Sequence, residues 1–141
     1  MDHISRSPEQ TIALGQQFSR RLRGGSTVCL IGDLGAGKTQ FMKGIALGLG
    51  ITRTITSPTF VLLKQYPVPD SEPSLTLNHL DLYRVDGDLE ALGFGFEDLL
   101  TDDQITCIEW ADRLTSILPE DAVEIIFTYI DDTTRSISIP N

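Results

Sequence analysis

The stretch Gly32-Asp33-Leu34-Gly35-Ala36-Gly37-Lys38-Thr39 decides how this chain is interpreted. It meets the pattern G-x-x-x-x-G-K-[ST], in which glycines let the backbone curl so that successive N–H groups point at phosphate oxygens. The lysine of such a loop reaches the β- and γ-phosphates, and the threonine hydroxyl is offered to Mg²⁺. The stretch therefore predicts a loop that binds ATP together with Mg²⁺.

The residues on either side of this loop support the prediction. Thr27 to Ile31 form a short, continuously apolar and β-branched run, which is typical of a strand buried on both faces of a sheet. After the loop, Phe41, Ile45 and Leu49 recur at helical spacing, and Gly50 is a natural left-handed terminator. A strand before the loop and a helix after it are the context that the motif requires.

Helix and strand patterns alternate through the rest of the chain. Ser7 as N-cap, Pro8 at the first helical position and Gln10 as the partner in a capping box predict a first helix that ends near Leu22. Two antiparallel strand pairs are predicted, one at Phe60 to Tyr66 with Leu75 to Leu80 and one at Val123 to Ile130 with Ser136 to Ile139. A further strand is predicted at Ile105 to Ile108, and a broken helix at Asp88 to Leu100. These patterns predict a three-layer α/β P-loop NTPase fold with a mixed, mostly parallel central sheet, in one domain over residues 1–141.

Composition narrows the classes of function. A chain of 141 residues that is 40% hydrophobic and 22% charged fits one globular domain. Its net charge of −9 opposes direct binding of a nucleic-acid backbone, which depends on clustered Lys and Arg. No apolar stretch is long enough for a membrane helix and no secretion signal is recognisable, so we expect a cytoplasmic protein with no membrane contact. Cys29 and Cys107 lie inside separate apolar runs and are expected to be reduced and structural.

Two carboxylates follow apolar strand patterns. Hydrolysis by a P-loop protein needs an acidic residue at the tip of another strand, where it organises Mg²⁺ and the attacking water. Glu109 ends the run Ile105 to Ile108, and Asp81 ends the run Leu75 to Leu80. A lone carboxylate at such a place more often caps a turn or a helix, but the phosphate loop raises the prior for a catalytic role at both positions.

Other polar residues keep two interpretations each. Thr59 follows Pro58 between the loop helix and the next strand, so it is either a switch threonine that senses the γ-phosphate or the cap of a turn. Arg84 is either a phosphate contact or one member of an ion pair. His79 is expected to be structural, and Trp110 to belong to the core or to the wall of the pocket.

Four segments together resemble the TsaE family, bacterial ATPases of tRNA threonylcarbamoyladenosine biosynthesis. They are Gly-Asp-Leu-Gly-Ala-Gly-Lys-Thr at 32–39, Ser-Pro-Thr-Phe at 57–60, His-Leu-Asp-Leu-Tyr-Arg at 79–84 and Glu-Trp at 109–110. The resemblance extends from the capped first helix to the final hairpin. It implies a protein that acts with TsaD and TsaB, which transfer a threonylcarbamoyl group from an adenylate onto an adenosine beside the anticodon of ANN-reading tRNAs. It also implies that tRNA is met only through that complex, and that the protein alone is a weak ATPase.

The resemblance also implies a set of site residues. Lys38, Thr59, Asp81 and Glu109 would be catalytic, and Thr39 and Glu109 would bind Mg²⁺. The ATP-binding residues would be Asp33, Leu34, Gly35, Ala36, Gly37, Lys38, Thr39 and Gln40 in the loop, with Ser7, Pro8, Thr134 and Arg135 near the adenine. Many relatives continue into a C-terminal helix beyond the position of Asn141.

Two other classes of function compete with this one. A small-molecule P-loop kinase would pass the γ-phosphoryl group to an acceptor, but it usually needs an arginine-rich lid, and Arg113 is the only basic residue between Glu90 and Leu118. A nucleotide-dependent binding module would use ATP to switch its affinity for a partner without productive hydrolysis. Asp81 and Glu109 favour hydrolysis over that second alternative.

Overall fold

A seven-stranded sheet organises the residues that the computed structural model describes, which are 1–33, 35–55 and 63–141. The strands are β1 (Asp2–Ser5), β2 (Thr27–Ile31), β3 (Leu63–Val68), β4 (Leu75–Asp81), β5 (Gln104–Glu109), β6 (Val123–Tyr129) and β7 (Arg135–Ser138). Their order is β1-β7-β6-β2-β5-β4-β3. The central strands β6, β2, β5 and β4 are parallel, while β3 and β7 run against their neighbours. The predicted mixed, mostly parallel sheet is confirmed.

In the described part of the chain, three α-helices cover the sheet: α1 (Pro8–Phe18), α2 (Lys38–Gly48) and α3 (Asp88–Gly93). Short 3₁₀ turns lie at Ser19–Arg21, Phe96–Leu99 and Ala111–Arg113. One hydrophobic cluster joins α1 and α2 to one face of the sheet, and a second joins α3 and the last two 3₁₀ turns to the other face. Successive strand residues alternate between the clusters, as Val28 and Leu30 do against Cys29. This arrangement confirms the predicted three-layer α/β fold.

The helices α1 and α2 pack with their backbones in contact. A Cβ atom added at Gly15 would lie 2.2 Å from the Phe41 carbonyl oxygen, and one added at Gly44 would lie 2.0 Å from the Ile12 carbonyl oxygen. Phe18 and Phe41 fill the space between this helix pair and the sheet, with their ring centroids 5.7 Å apart. The tight packing fixes α2, and with it the phosphate loop at its start, relative to the sheet.

The start of α1 agrees with its prediction in all but one contact. The Gln10 N–H donates to Ser7 Oγ at 3.1 Å, and Pro8 occupies the first turn. The Gln10 side chain accepts from the N–H of Arg6 at 2.6 Å instead of from that of Ser7, so the predicted capping box is wrong in its second half. The helix ends at Phe18 and continues as a 3₁₀ turn to Arg21, close to the predicted end.

Most of the other predicted elements are confirmed. The two predicted antiparallel pairs are β3 with β4 and β6 with β7. Residues 60–62 of the first predicted strand lie outside the described residues. The broken helix is α3 followed by a 3₁₀ turn, with Gly95 at φ +91° between them. Strand β1 was not predicted, because its four residues carry a single large apolar side chain and because it forms by pairing with β7, near the other end of the chain.

Both cysteines are buried free thiols, in agreement with the prediction. Cys107 lies opposite Val28 in the register of β2 and β5, so Cys29 and Cys107 face opposite sides of the sheet. Burial raises the pKa of the Cys29 thiol to about 12, which keeps it protonated and unreactive. Among the described residues, no helix has the length and apolar character needed to cross a membrane.

Candidate phosphate-binding site

Described glycines between β2 and α2 adopt backbone conformations that suit the sequence motif. Gly35 and Gly37 adopt φ values of +78° and +101°, a region that favours glycine. Gly32 lies against β6, because a Cβ atom there would come within 2.7 Å of the Phe127 carbonyl oxygen. Gly37 is the N-cap of α2 and offers no side chain to the first amide groups of the helix. Those N–H groups and the positive end of the helix dipole are therefore available to an anion.

Lys38 begins α2 and is buried, with 5% of its surface exposed. Its Nζ donates to the Gly32 carbonyl oxygen and lies 4.1 Å from the ring centroid of Trp110. Burial lowers the pKa of Lys38 below its ordinary value, and the nearby carboxylates of Glu109 and Asp81 partly offset that effect. The lysine therefore lies close to two of the predicted catalytic residues, Asp81 and Glu109.

The two strand-end carboxylates lie side by side. Asp81 and Glu109 are partners in the parallel register of β4 and β5, and the Leu82 N–H donates to the Glu109 carbonyl oxygen at 3.0 Å. Both strands end at the edge of the sheet from which β2 leads into the phosphate loop. Ligands of open α/β sheets bind at this carboxyl edge, so the register brings both acids to the expected place.

The environments of these two acids differ. Glu109 is 4% exposed, and its Oε2 lies 2.5 Å from Nε2 of the fully buried His79. Asp81 is half-buried and its Oδ1 accepts from the Tyr83 N–H at 2.9 Å, so it also caps the turn after β4. The capping role that the sequence analysis weighed for Asp81 is thus present beside any catalytic one.

The sequence analysis missed the contact between His79 and Glu109. His79 and Asp81 are two residues apart in β4, so their side chains lie on the same face of the sheet. Cys107 and Glu109, which lie opposite them in β5, are also two residues apart and share that face. That spacing was visible in the sequence. What the sequence did not contain was the order of the strands, which makes β4 and β5 neighbours.

Aromatic rings line one side of the lysine. Trp110 follows Glu109 directly, and its ring lies 5.0 Å from that of Tyr83, with the Arg113 guanidinium 5.7 Å from the Trp110 centroid. The backbone of Trp110 has φ +61°, which is uncommon for a bulky side chain and directs the indole towards Lys38. Trp110 therefore forms a wall of the site, one of its two predicted positions.

A second wall comes from the final hairpin and the start of α1. Arg135 in β7 donates from Nε to the Gly35 carbonyl oxygen at 3.0 Å. Strand β1 pairs Ser5 with Arg135, and this pairing brings the first turn of α1 beside the hairpin. The hydroxyl of Ser7 caps α1, Pro8 is exposed, and the Thr134 carbonyl oxygen accepts from Arg135. A role for Ser7, Pro8 and Thr134 near adenine stays a prediction.

The remaining predicted site residues fall in two groups. Within the described part of the chain, Asp33 is exposed, Ala36 is buried, and Thr39 and Gln40 are half-buried in the first turn of α2. Leu34 and Thr59 lie outside the described residues.

The donors available for Mg²⁺ are few. Among the described residues there is no group of three or more His, Cys, Asp or Glu side chains that would hold a metal ion. Mg²⁺ bound to a nucleotide usually takes only one or two protein oxygens and completes its shell with phosphate and water. Thr39, at the start of α2, and Glu109, at the end of β5, carry the hard oxygen donors that fit such an ion.

Comparison with known proteins identifies the family. Residues 5–137 match the sequence model of the family described as threonylcarbamoyl adenosine biosynthesis protein TsaE. The chain is 41% identical to the tRNA threonylcarbamoyladenosine biosynthesis protein TsaE of Treponema pallidum, with 96% of this chain and 97% of that one covered. It is 36% identical to the protein of the same name from Bacillus subtilis, covering 94% of this chain and 80% of that one.

A solved structure agrees with this assignment. The crystal structure of YdiB from Bacillus subtilis superposes with a TM-score of 0.79 at 32% sequence identity, covering 97% of this chain and 82% of that one. With the family match, the relatives and the shared fold in agreement, the chain belongs to the TsaE family of threonylcarbamoyl adenosine biosynthesis proteins.

Proposed function

We propose that this protein is a Mg²⁺-dependent ATPase that supports threonylcarbamoyladenosine modification of tRNA by acting with the TsaD and TsaB proteins. The observation that carries the proposal is the convergence of Lys38, Asp81 and Glu109 at the carboxyl edge of the sheet, beside the start of α2. A loop alone would bind a nucleotide. Two carboxylates beside its lysine add the groups that hydrolysis requires.

Each group has a part in that reaction. The first amides of α2 and the ammonium of Lys38 would hold the β- and γ-phosphates and balance the charge that develops on them. Thr39 and Glu109 would hold Mg²⁺, which when bound polarises the terminal phosphate. Asp81, fixed by the Tyr83 N–H, would orient a water molecule for attack on the γ-phosphorus. The buried environment of Lys38 and Glu109 strengthens these interactions, because little water is present to screen them.

The acidic composition supports an indirect relation to tRNA. With a net charge of −9, the chain is a poor ligand for a phosphate backbone by itself. A partner complex would carry the tRNA while this subunit carries the nucleotide. The family's part in threonylcarbamoyladenosine biosynthesis supports a relation to tRNA, because threonylcarbamoyladenosine is a modified nucleoside of tRNA.

The test measures Mg²⁺-dependent release of phosphate from ATP by the purified protein, alone and with TsaD and TsaB. We expect slow release alone and strong stimulation by the partners. Glu109→Ala should raise the Mg²⁺ concentration needed for half-maximal release by about tenfold or more. Glu120→Ala, which changes an exposed glutamate away from the site, is the matched control and should behave as wild type.

Other outcomes would assign the protein to another class. Bound ATP without release, with or without partners, would indicate a nucleotide-dependent binding module. A phosphorylated metabolite in a mixture of candidate acceptors would indicate a kinase. Unchanged Mg²⁺ dependence in Glu109→Ala would remove Glu109 from the metal site.

A further inference from the structure

The buried contact between His79 and Glu109 has no part in the ATPase scheme above. His79 is 0% exposed and Glu109 is 4% exposed, and Nε2 of the ring lies 2.5 Å from Oε2 of the carboxylate. A carboxylate can only accept a hydrogen bond, so Nε2 is the donor. The bond joins neighbouring parallel strands diagonally, because His79 lies opposite Cys107 in the register while Glu109 lies opposite Asp81.

The other nitrogen of the ring argues against a purely structural role. Nδ1 is buried and has no hydrogen-bond partner among the described residues. Buried polar atoms in proteins are nearly always satisfied, and leaving one without a partner is unfavourable. An apolar side chain would fill the same space without that cost. Within the described part of the chain, the hydrogen bond to Glu109 is the one favourable polar interaction that the imidazole makes.

The neighbouring lysine shows what the contact prevents. Lys38 is close enough to Glu109 for the carboxylate to raise its pKa, yet Lys38 Nζ donates to the Gly32 carbonyl oxygen and Glu109 accepts from His79. In an ion pair between Lys38 and Glu109, the lysine ammonium would be less available to phosphate and the carboxylate oxygen less available to the metal ion. Among the residues that the structure describes, Oε2 is instead held by His79, and Lys38 and Glu109 make no ion pair with each other.

We propose that His79 is a positioning residue that holds Oε2 of Glu109 and so directs the other oxygen, Oε1, towards the Mg²⁺ of the bound nucleotide. The inference rests on the proposed function, since it requires Glu109 to be a metal ligand. Groups that orient a ligating side chain commonly change metal affinity by about 10–100-fold when they are removed. The same size of effect is expected here.

The experiment measures the affinity of Mn²⁺, a paramagnetic substitute for Mg²⁺, for the complex with ADP, by electron paramagnetic resonance of the free ion. His79→Leu should weaken Mn²⁺ binding by about tenfold or more. His79→Gln, whose side-chain amide can donate from nearly the position of Nε2, should bind Mn²⁺ more tightly than the Leu variant. His79→Asn, whose shorter amide reaches only the position of Nδ1, should resemble Leu and replaces it if the Leu variant does not fold.

Repeating the measurement in the Glu109→Ala protein separates a positioning role of His79 from an effect on packing. If His79 acts through Glu109, His79→Leu should cause no further loss of Mn²⁺ affinity in the Glu109→Ala protein. An equal loss in both backgrounds, or unchanged Mn²⁺ affinity in His79→Leu and His79→Asn, would overturn the inference. Loss of thermal stability alone would not support it.

The outcomes also separate this inference from the proposed function. If Glu109→Ala binds Mn²⁺ as wild type does, the assignment of Glu109 to the metal fails, and the proposed function is the part that is wrong. If Glu109→Ala loses Mn²⁺ while the His79 variants keep it, only the role of His79 is wrong.

Discussion

The two faces of the central sheet are built differently. The helical face, covered by α1 and α2, has two eleven-residue helices in backbone contact, and it buries Lys38, His79 and Glu109. The turn face, covered by α3 and the 3₁₀ turns Phe96–Leu99 and Ala111–Arg113, buries neutral polar groups. There Asn78 donates to Thr106 at 3.1 Å, and Thr106 donates to the Leu99 carbonyl oxygen at 2.8 Å.

The difference shows where this fold can hold charge. A buried charge is tolerated only when its partners are held in place, and long helices in close contact provide that rigidity. Short turns that are joined by local hydrogen bonds cover the opposite face without the same constraint. The four predictions below test this contrast, beginning with the largest expected effect.

The first prediction concerns the buried cation of the helical face. Lys38→Ala should weaken ADP binding by about 100-fold, because it removes a charged hydrogen-bond donor to phosphate. Lys43→Ala, further along the same helix, should leave ADP affinity unchanged. Isothermal titration calorimetry measures both. Near-wild-type affinity of the Lys38→Ala protein would remove Lys38 from the phosphate site.

The second prediction compares one glycine from each face. Gly44→Ala should lower the free energy of unfolding by about 2–3 kcal/mol, because the new Cβ would lie 2.0 Å from the Ile12 carbonyl oxygen. Gly93→Ala in α3 meets no atom within 4 Å and should raise that free energy by about 0.5 kcal/mol. Urea denaturation of the two variants gives both values. Equal effects would mean that α1 and α2 are not packed more rigidly than α3.

The third prediction concerns the caps of the helices. Ser7→Ala should lower the free energy of unfolding by about 1 kcal/mol, because Ser7 Oγ accepts from the Gln10 N–H at the start of α1. Helix α3 has Gly87 at the same position and no side-chain cap. Ser74→Ala, at an exposed loop position, is the control and should be close to neutral in the same denaturation experiment. A neutral Ser7 variant would show that α1 is held by packing alone.

The fourth prediction concerns a clasp on the turn face. The clasp consists of the Asp88 carboxylate and the N–H and hydroxyl groups of Thr115 and Ser116, which donate to it at 2.7–3.1 Å. These hydrogen bonds, chiefly the one from the Ser116 hydroxyl, lower the pKa of Asp88 from its ordinary value of 3.8. The stabilisation is therefore complete above pH 3.8 and is lost as the pH falls through that value towards the lower folded-state pKa.

The effect should be small, because Asp88 is only half-buried and solvent screens charge interactions near the surface. Asp88→Asn should give a flatter dependence of unfolding free energy on pH than wild type across the acidic range. Identical slopes for the two proteins would mean that the clasp does not contribute to folding.

Much of the helical face could be predicted from local patterns. The loop at 32–39 carries its own chemistry in its residue types, and the acids Asp81 and Glu109 follow apolar strands directly. The contact between His79 and Glu109 could not be predicted, because it depends on which strands are neighbours, and strand order is set by packing across the whole sheet. Strand β1 was missed for the same reason, since its partner β7 lies at the other end of the chain.

Trp110 gives the site an optical property of its own. It is the single tryptophan in the sequence, so all indole emission comes from the wall of the phosphate site. Its ring lies 4.1 Å from the Lys38 ammonium, a contact that a nucleotide phosphate would compete for. Arrival of a nucleotide should therefore be readable in the native fluorescence of the protein, without a label and on the time scale of the binding event.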